Sequence, residues 1–121
     1  RPAPPRWSEG RAALLGDACH PMLPYMAQGA VQAFEDGAAI AAVLGGAESP
    51  EAASALARYE ERRRTRAERV RGVARANGRL FHAANPMLRA AIYGPMAVGA
   101  RVAPGLALQR FDWLYGHEEA A

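Results

Sequence analysis

Lysine is absent from this chain of 121 residues, and cysteine occurs once, at Cys19. A single thiol excludes an internal disulfide framework and fits a reducing compartment, so a cytoplasmic protein is expected. No apolar run is long enough to cross a bilayer, and no basic segment followed by an apolar one reads as a secretory signal, so no membrane partner is expected. The 15 basic residues, all arginine, against 12 acidic ones leave a formal charge of +3. So small an excess does not call for nucleic acid. Histidines are few, and Cys19 and His20 are adjacent in what reads as an extended loop, where neighbouring side chains point apart. A metal site would need more ligands than His82 and His117 can add, so neither a metal nor a Cys–His nucleophile pair is expected.

What is present is concentrated between Gly10 and Asp36. Ala12–Leu15 is a short apolar run closed by Gly16, the pattern of a strand buried on both faces. Asp17–Gln28 reads as a loop stiffened by Pro21 and Pro24. From Gly29 the spacing turns helical through Val31, Phe34, Ala38, Ala41 and Ala42. A carboxylate just beyond a buried strand, followed by a loop and a helix N-terminus, is where open α/β sheets hold ligands. No second convincing strand follows, yet a strand buried on both faces needs partners for its backbone groups. The expectation is therefore the C-terminal piece of a longer α/β protein.

Gly16-Asp17-Ala18-Cys19-His20-Pro21, Pro24, Gln28-Gly29 and Glu35-Asp36 together resemble the second flavin-contacting motif of the single-component FAD-dependent aromatic hydroxylases, nearest to the salicylate and hydroxybenzoate branch. The fold this implies is α/β: the last strand of a three-layer FAD/NAD(P)-binding domain, followed by C-terminal helices. Residues 1–46 would complete the FAD-binding domain, and residues 47–121 would form a helical segment with an aromatic tail. The resemblance implies hydroxylation of an aromatic, phenolic substrate with NAD(P)H and O2. It also implies flavin contacts from Asp17, Gly16, Gly29, Ala30, Val31 and Pro24. By position alone Asp17 is as readily a turn cap as a ligand. Within the resemblance its carboxylate accepts hydrogen bonds from the ribityl hydroxyls. The start of the helix at Gly29, Ala30 and Val31 would offer free N–H groups to the flavin, with Gly29 leaving room for its ring. Pro24 would supply shape and a carbonyl acceptor beside the ring, with no residue assigned to proton transfer.

The family's Gly-x-Gly-x-x-Gly fingerprint and its middle Asp-Gly motif are not in this sequence, so residues 1–121 alone are expected not to hold stoichiometric FAD. The motif serves the flavin, and it equally fits a related FAD oxidoreductase that is not a hydroxylase.

Three helices complete the reading. The first is placed at Ala30–Leu44, apolar almost all round, and closed by Gly45-Gly46. The second starts at a Ser49 cap with Pro50 in the first turn and runs to about Gly78. Its stripe is Leu56, Tyr59, Arg63, Ala67, Val70 and Ala74, and Glu60 and Arg64 are spaced to pair. Its arginine run, Arg62-Arg63-Arg64 with Arg66 and Arg69, reads as a solvated face; the competing reading is an RNA-binding helix. The third spans Pro86 to about Val102, where Pro95 should kink or break it. Pro104-Gly105 then turns the chain towards Phe111-Asp112-Trp113-Leu114-Tyr115, an aromatic anchor.

Overall fold

The computed structural model describes residues 2–45, 51–109 and 111–117. The expected cap at Ser49-Pro50, together with Gly46 and Arg110, lies outside them. The chain forms two compact units, one reaching to Ala76 and the other starting at Asn77.

In the first unit the apolar run forms a strand, but a short one with an upstream partner. β1 (Ser8–Glu9) and β2 (Ala12–Ala13) pair antiparallel, with Ser8 opposite Ala13 and Glu9 opposite Ala12. Gly10 makes the reversal possible with φ of 56°, a conformation that costs a residue with a Cβ. The Leu14 amide extends the hairpin by donating to Trp7 O at 2.7 Å. The expected burial on both faces is not found: Leu14 and Leu15 are 41% and 48% exposed. Alternation puts them on opposite sides of the backbone, and of this strand Ala13 is the residue packed against the core.

The stretch expected as loop is partly helical, with single 3-10 turns at Gly16–Ala18 and Pro24–Met26. α1 (Gln28–Leu44) starts two residues before its expected position. Its packing inverts the expectation. The buried residues are Gln28, Gln32, Asp36 and Ala39, while Phe34 is 79% exposed. Spacings of four, four and three put these residues on one stripe, and the polar groups on it meet the charged residues of the next helix.

That helix, α2 (Ala52–Phe81), begins in the first unit and runs past the expected end, with Gly78 inside it. Its expected stripe is observed: Leu56, Tyr59, Arg63, Ala67, Val70 and Ala74 are all buried. Trp7, Cys19, Ala39, Tyr59 and Ala67 form the apolar core, with Ala13, Ile40 and Val43 against it. The Tyr59 hydroxyl donates to Leu14 O at 3.0 Å, tying α2 to the hairpin. Glu60 and Arg64 pair at 2.8 Å as expected, and Glu60 also accepts from the amide and hydroxyl of Ser8.

In the second unit α3 (Pro86–Val102) has the expected bounds. Asn85 caps it, accepting from the amides of Met87 and Leu88. Pro95 does not end the helix. It withholds one N–H from the carbonyl of Ala91, which lies on an exposed part of a helix with no buried residue and so can turn to water. The turn expected after Pro104 is a short helix, α4 (Pro104–Gln109), followed by α5 (Asp112–Tyr115). Leu114 is buried, and the rings of Phe111 and Tyr115 meet edge-on at 6.4 Å.

Candidate functional site

The residues between β2 and α1 are organised by a side chain from outside that segment. Asp36, fully buried on α1, accepts at Oδ2 from the Gly16 amide at 2.8 Å and from His20 Nε2 at 2.5 Å. Its other oxygen, Oδ1, accepts from Arg63 Nε at 2.9 Å. Arg63 spends its remaining donors on Glu35 at 2.6 Å and on the side-chain carbonyl of Gln32 at 2.9 Å. Arg66 closes the series with a two-pronged contact to Glu35 at 2.7 and 2.8 Å. Charges alternate along the chain His20, Asp36, Arg63, Glu35, Arg66, so each buried ion has an opposite neighbour, as burial demands.

The titration behaviour follows. Burial on its own pulls the His20 imidazole down, but the hydrogen bond with the Asp36 carboxylate outweighs it and raises the group to about 9. Burial pushes the Asp36 carboxyl up, and the bonds from His20, the Gly16 amide and Arg63 reverse this, holding it below the ordinary range. Glu35 is likewise held low against the effect of burial, by Arg66 and Arg63. His20 is therefore a buried cation at neutral pH, with the Trp7 ring 5.3 Å away.

Two sequence readings are corrected here. Cys19 and His20 do not point apart. Both are buried, because the segment turns at Gly16–Ala18 rather than running extended. With Asp36 they bring three donor atoms within 4.8 Å of one another, but both Asp36 oxygens are already engaged as described. The arginine run is not uniformly solvated either. Arg63 is 1% exposed and Arg66 is spent on Glu35. The signal was available: Arg63 sits on the apolar stripe of α2, and a core-facing guanidinium requires a buried carboxylate, which α1 supplies only at Glu35 and Asp36.

The residues singled out from sequence lie around this network. Gly16 is buried and needs to be glycine, since its φ is 59° and a Cβ would stand 3.3 Å from Ala33 Cβ. Asp17 is exposed on the next position. Among the described residues its carboxylate makes no hydrogen bond, and the turn it sits in has no side-chain cap. Gly29 faces it: a Cβ built there would come 3.8 Å from Asp17 Oδ1. Gly29 is half-buried, while Ala30, Val31 and Pro24 are exposed. Ala27, which precedes α1, holds the left-handed conformation (φ 52°, ψ 25°) and offers no capping side chain. The first amides of α1 thus lack the partner a capping side chain would give, beside an unengaged carboxylate and behind a non-glycine residue in a costly conformation. A polyhydroxyl chain with an electron-rich ring fits that arrangement: acceptor for the hydroxyls, amides for the ring edge, and no Cβ at Gly29 between them.

The shallow depression lined by Arg6, Trp7, Ser8, Glu9, Ala12, Ala13 and Leu14 contains none of these residues.

Comparison with known proteins gives the family. The FAD binding domain family matches residues 4–74, more than half of the chain, and the chain belongs to that family. The chain is 40% identical over 114 residues to 3-amino-4-hydroxybenzoate 2-monooxygenase PtnB3 of Streptomyces platensis, covering 94% of this chain and 27% of the relative. To 6-hydroxynicotinate 3-monooxygenase of Pseudomonas fluorescens it is 53% identical over 75 residues, 60% of this chain and 19% of the relative. To 3-hydroxybenzoate 6-hydroxylase 1 of Aquipseudomonas alcaligenes it is 40% identical over 117 residues, 94% of this chain and 28% of the relative. The chain thus spans about a quarter of the length of the first and third of these relatives and less of the second. Among the described residues no helix is long and apolar enough to cross a membrane.

Proposed function

We propose that this chain is the flavin-facing, C-terminal part of an FAD-dependent monooxygenase that hydroxylates an aromatic, phenolic substrate with NAD(P)H and O2. The observation that carries the reading is the unengaged Asp17 carboxylate opposite Gly29, at the uncapped start of α1. The relatives named above as monooxygenases of hydroxybenzoates and hydroxynicotinate support it. FAD, when bound, supplies the electron transfer and oxygen chemistry.

The protein's own part is binding and orientation. Asp17 accepts hydrogen bonds from the ribityl hydroxyls without changing its charge. The amides at the start of α1 favour negative charge on the flavin's pyrimidine side. Gly29 leaves the space that a ring needs, and Pro24, ahead of α1, shapes the substrate side and offers its carbonyl. In this reading residues 1–46 belong to a three-layer FAD/NAD(P)-binding domain whose remainder lies in an N-terminal part of the same protein, in the cytoplasm. Residues 47–121 form a separate C-terminal helical segment with an aromatic tail.

The test is purification of the polypeptide that carries this chain. Stoichiometric FAD, NAD(P)H oxidation stimulated by a hydroxybenzoate-type phenol, and a hydroxylated product are expected. A colourless protein, or oxidation indifferent to every phenol offered, would contradict the proposal.

A further inference from the structure

We infer that His20 and Asp36 are positioning residues for Asp17: one buried oxygen, Asp36 Oδ2, ties down both ends of the short segment carrying the exposed carboxylate and so fixes where it meets the cofactor. The inference rests on the flavin reading of Asp17 given above.

The geometry is specific. Gly16 lies immediately before Asp17 and His20 three residues after it, and both donate to the same Asp36 oxygen, at 2.8 and 2.5 Å. The Gly16 carbonyl is held as well, accepting from the amides of Cys19 at 3.1 Å and His20 at 2.9 Å and from Cys19 Sγ at 3.3 Å. Both backbone groups of Gly16 are thus fixed, at a left-handed φ of 59°. Asp17 contributes nothing to this hold, since among the described residues its carboxylate is unbonded. Its position is imposed from behind, by the buried network. Asp36 in turn is fixed by Arg63 on α2, and Arg63 by Gln32 and Glu35 on α1. All of Gly16, His20, Asp36 and Arg63 are buried, where such bonds exchange little with water. An acceptor held in place before the ligand arrives spares the cost of ordering it on binding. The buried cation at His20 strengthens the bond that holds the far end of the segment.

A double-mutant cycle on FAD affinity in the full polypeptide carrying this chain tests the inference, read by flavin fluorescence and with the thermal midpoint of each flavin-free variant recorded beside it. Asp17→Ala is expected to weaken FAD binding about tenfold or more, the loss of hydrogen bonds to a charged acceptor. His20→Ala alone is expected to weaken it about tenfold, but less than about twofold when Asp17 is already alanine, because groups acting through one another are not additive. Should His20→Ala not fold, Asp36→Asn replaces it with the same expectation. A loss from the second-site change that is as large in the Asp17→Ala background as in the wild type would overturn the positioning role and leave the flavin reading standing. Unchanged affinity in Asp17→Ala would overturn the flavin role of Asp17 and this inference with it.

Discussion

At the scale of single residues, the informative groups are the charged ones that folding removes from water. Arg63 looks from its neighbours like one more solvated arginine, yet it is 1% exposed and bonded to Asp36, Glu35 and Gln32. Breaking a buried ion pair by deleting one partner costs about 3–5 kcal/mol, more than the pair contributes as a whole, because the orphaned charge stays buried. Arg63→Met, which keeps the volume, is expected to lose stability of that order in urea unfolding; a loss under about 1 kcal/mol would mean that the network does not hold α1 to α2. The pH dependence has a definite sign. His20 is raised from 6.5 to about 9 in the folded protein, so its contribution is complete below 6.5, declines above it and is gone beyond about 9. Asp36 is lowered from 3.8, so its contribution is present above that value and is lost as pH falls through its folded one. The urea midpoint should therefore decline on both sides of a plateau between the carboxylate range and neutrality. In His20→Gln the decline between 6.5 and 9 should be smaller, and an alkaline limb identical to the wild type would contradict the assignment.

At the scale of elements, two glycines next to the same segment separate folding from binding. Gly16 carries a positive φ and a Cβ there would stand 3.3 Å from Ala33 Cβ, so a side chain at this position costs folding. Gly29 is helical, and an added Cβ would meet only Asp17 Oδ1 at an ordinary 3.8 Å. Gly29→Ala should thus leave stability unchanged or raise it by up to about 1 kcal/mol, through helix propensity. The same methyl group would stand where the flavin is proposed to approach, so FAD affinity should fall by about tenfold. Calorimetry of the flavin-free variant beside an FAD titration checks both halves. Normal affinity would move the cofactor away from this edge. The inverted packing of α1 belongs to the same scale. Its polar stripe faces α2 because Arg63 is there, and Val31 and Phe34 remain exposed while Ala39, Ile40 and Val43 join the core.

At the scale of the whole molecule, how much the sequence disclosed depends on which physical signal each feature carries. α3 was readable to its ends because Asn85-Pro86 is a cap followed by a first-turn proline. The buried stripe of α2 was readable because three-and-four spacing is a strong signal over a long helix. The strand was legible in place but not in burial or pairing, since four apolar residues cannot report what covers them, and its partner Ser8–Glu9 is polar and two residues long. The pairing of Arg63 with α1 left a signal in the stripe of α2, but the share of His20 left none, since only the fold brings residues 20 and 36 together. Asp17 and Gly29 lie side by side because only a short segment separates the turn at Gly16 from the start of α1.

The proposed function depends on one placement, a flavin held where Asp17 meets the start of α1. Hydrogen–deuterium exchange of the polypeptide carrying this chain, with and without FAD, tests it most directly. The expected result is slowed exchange at residues 16–18 and 28–31 on adding FAD, with α3 unchanged. Protection of residues 86–102 with no change across residues 16–31 would contradict it.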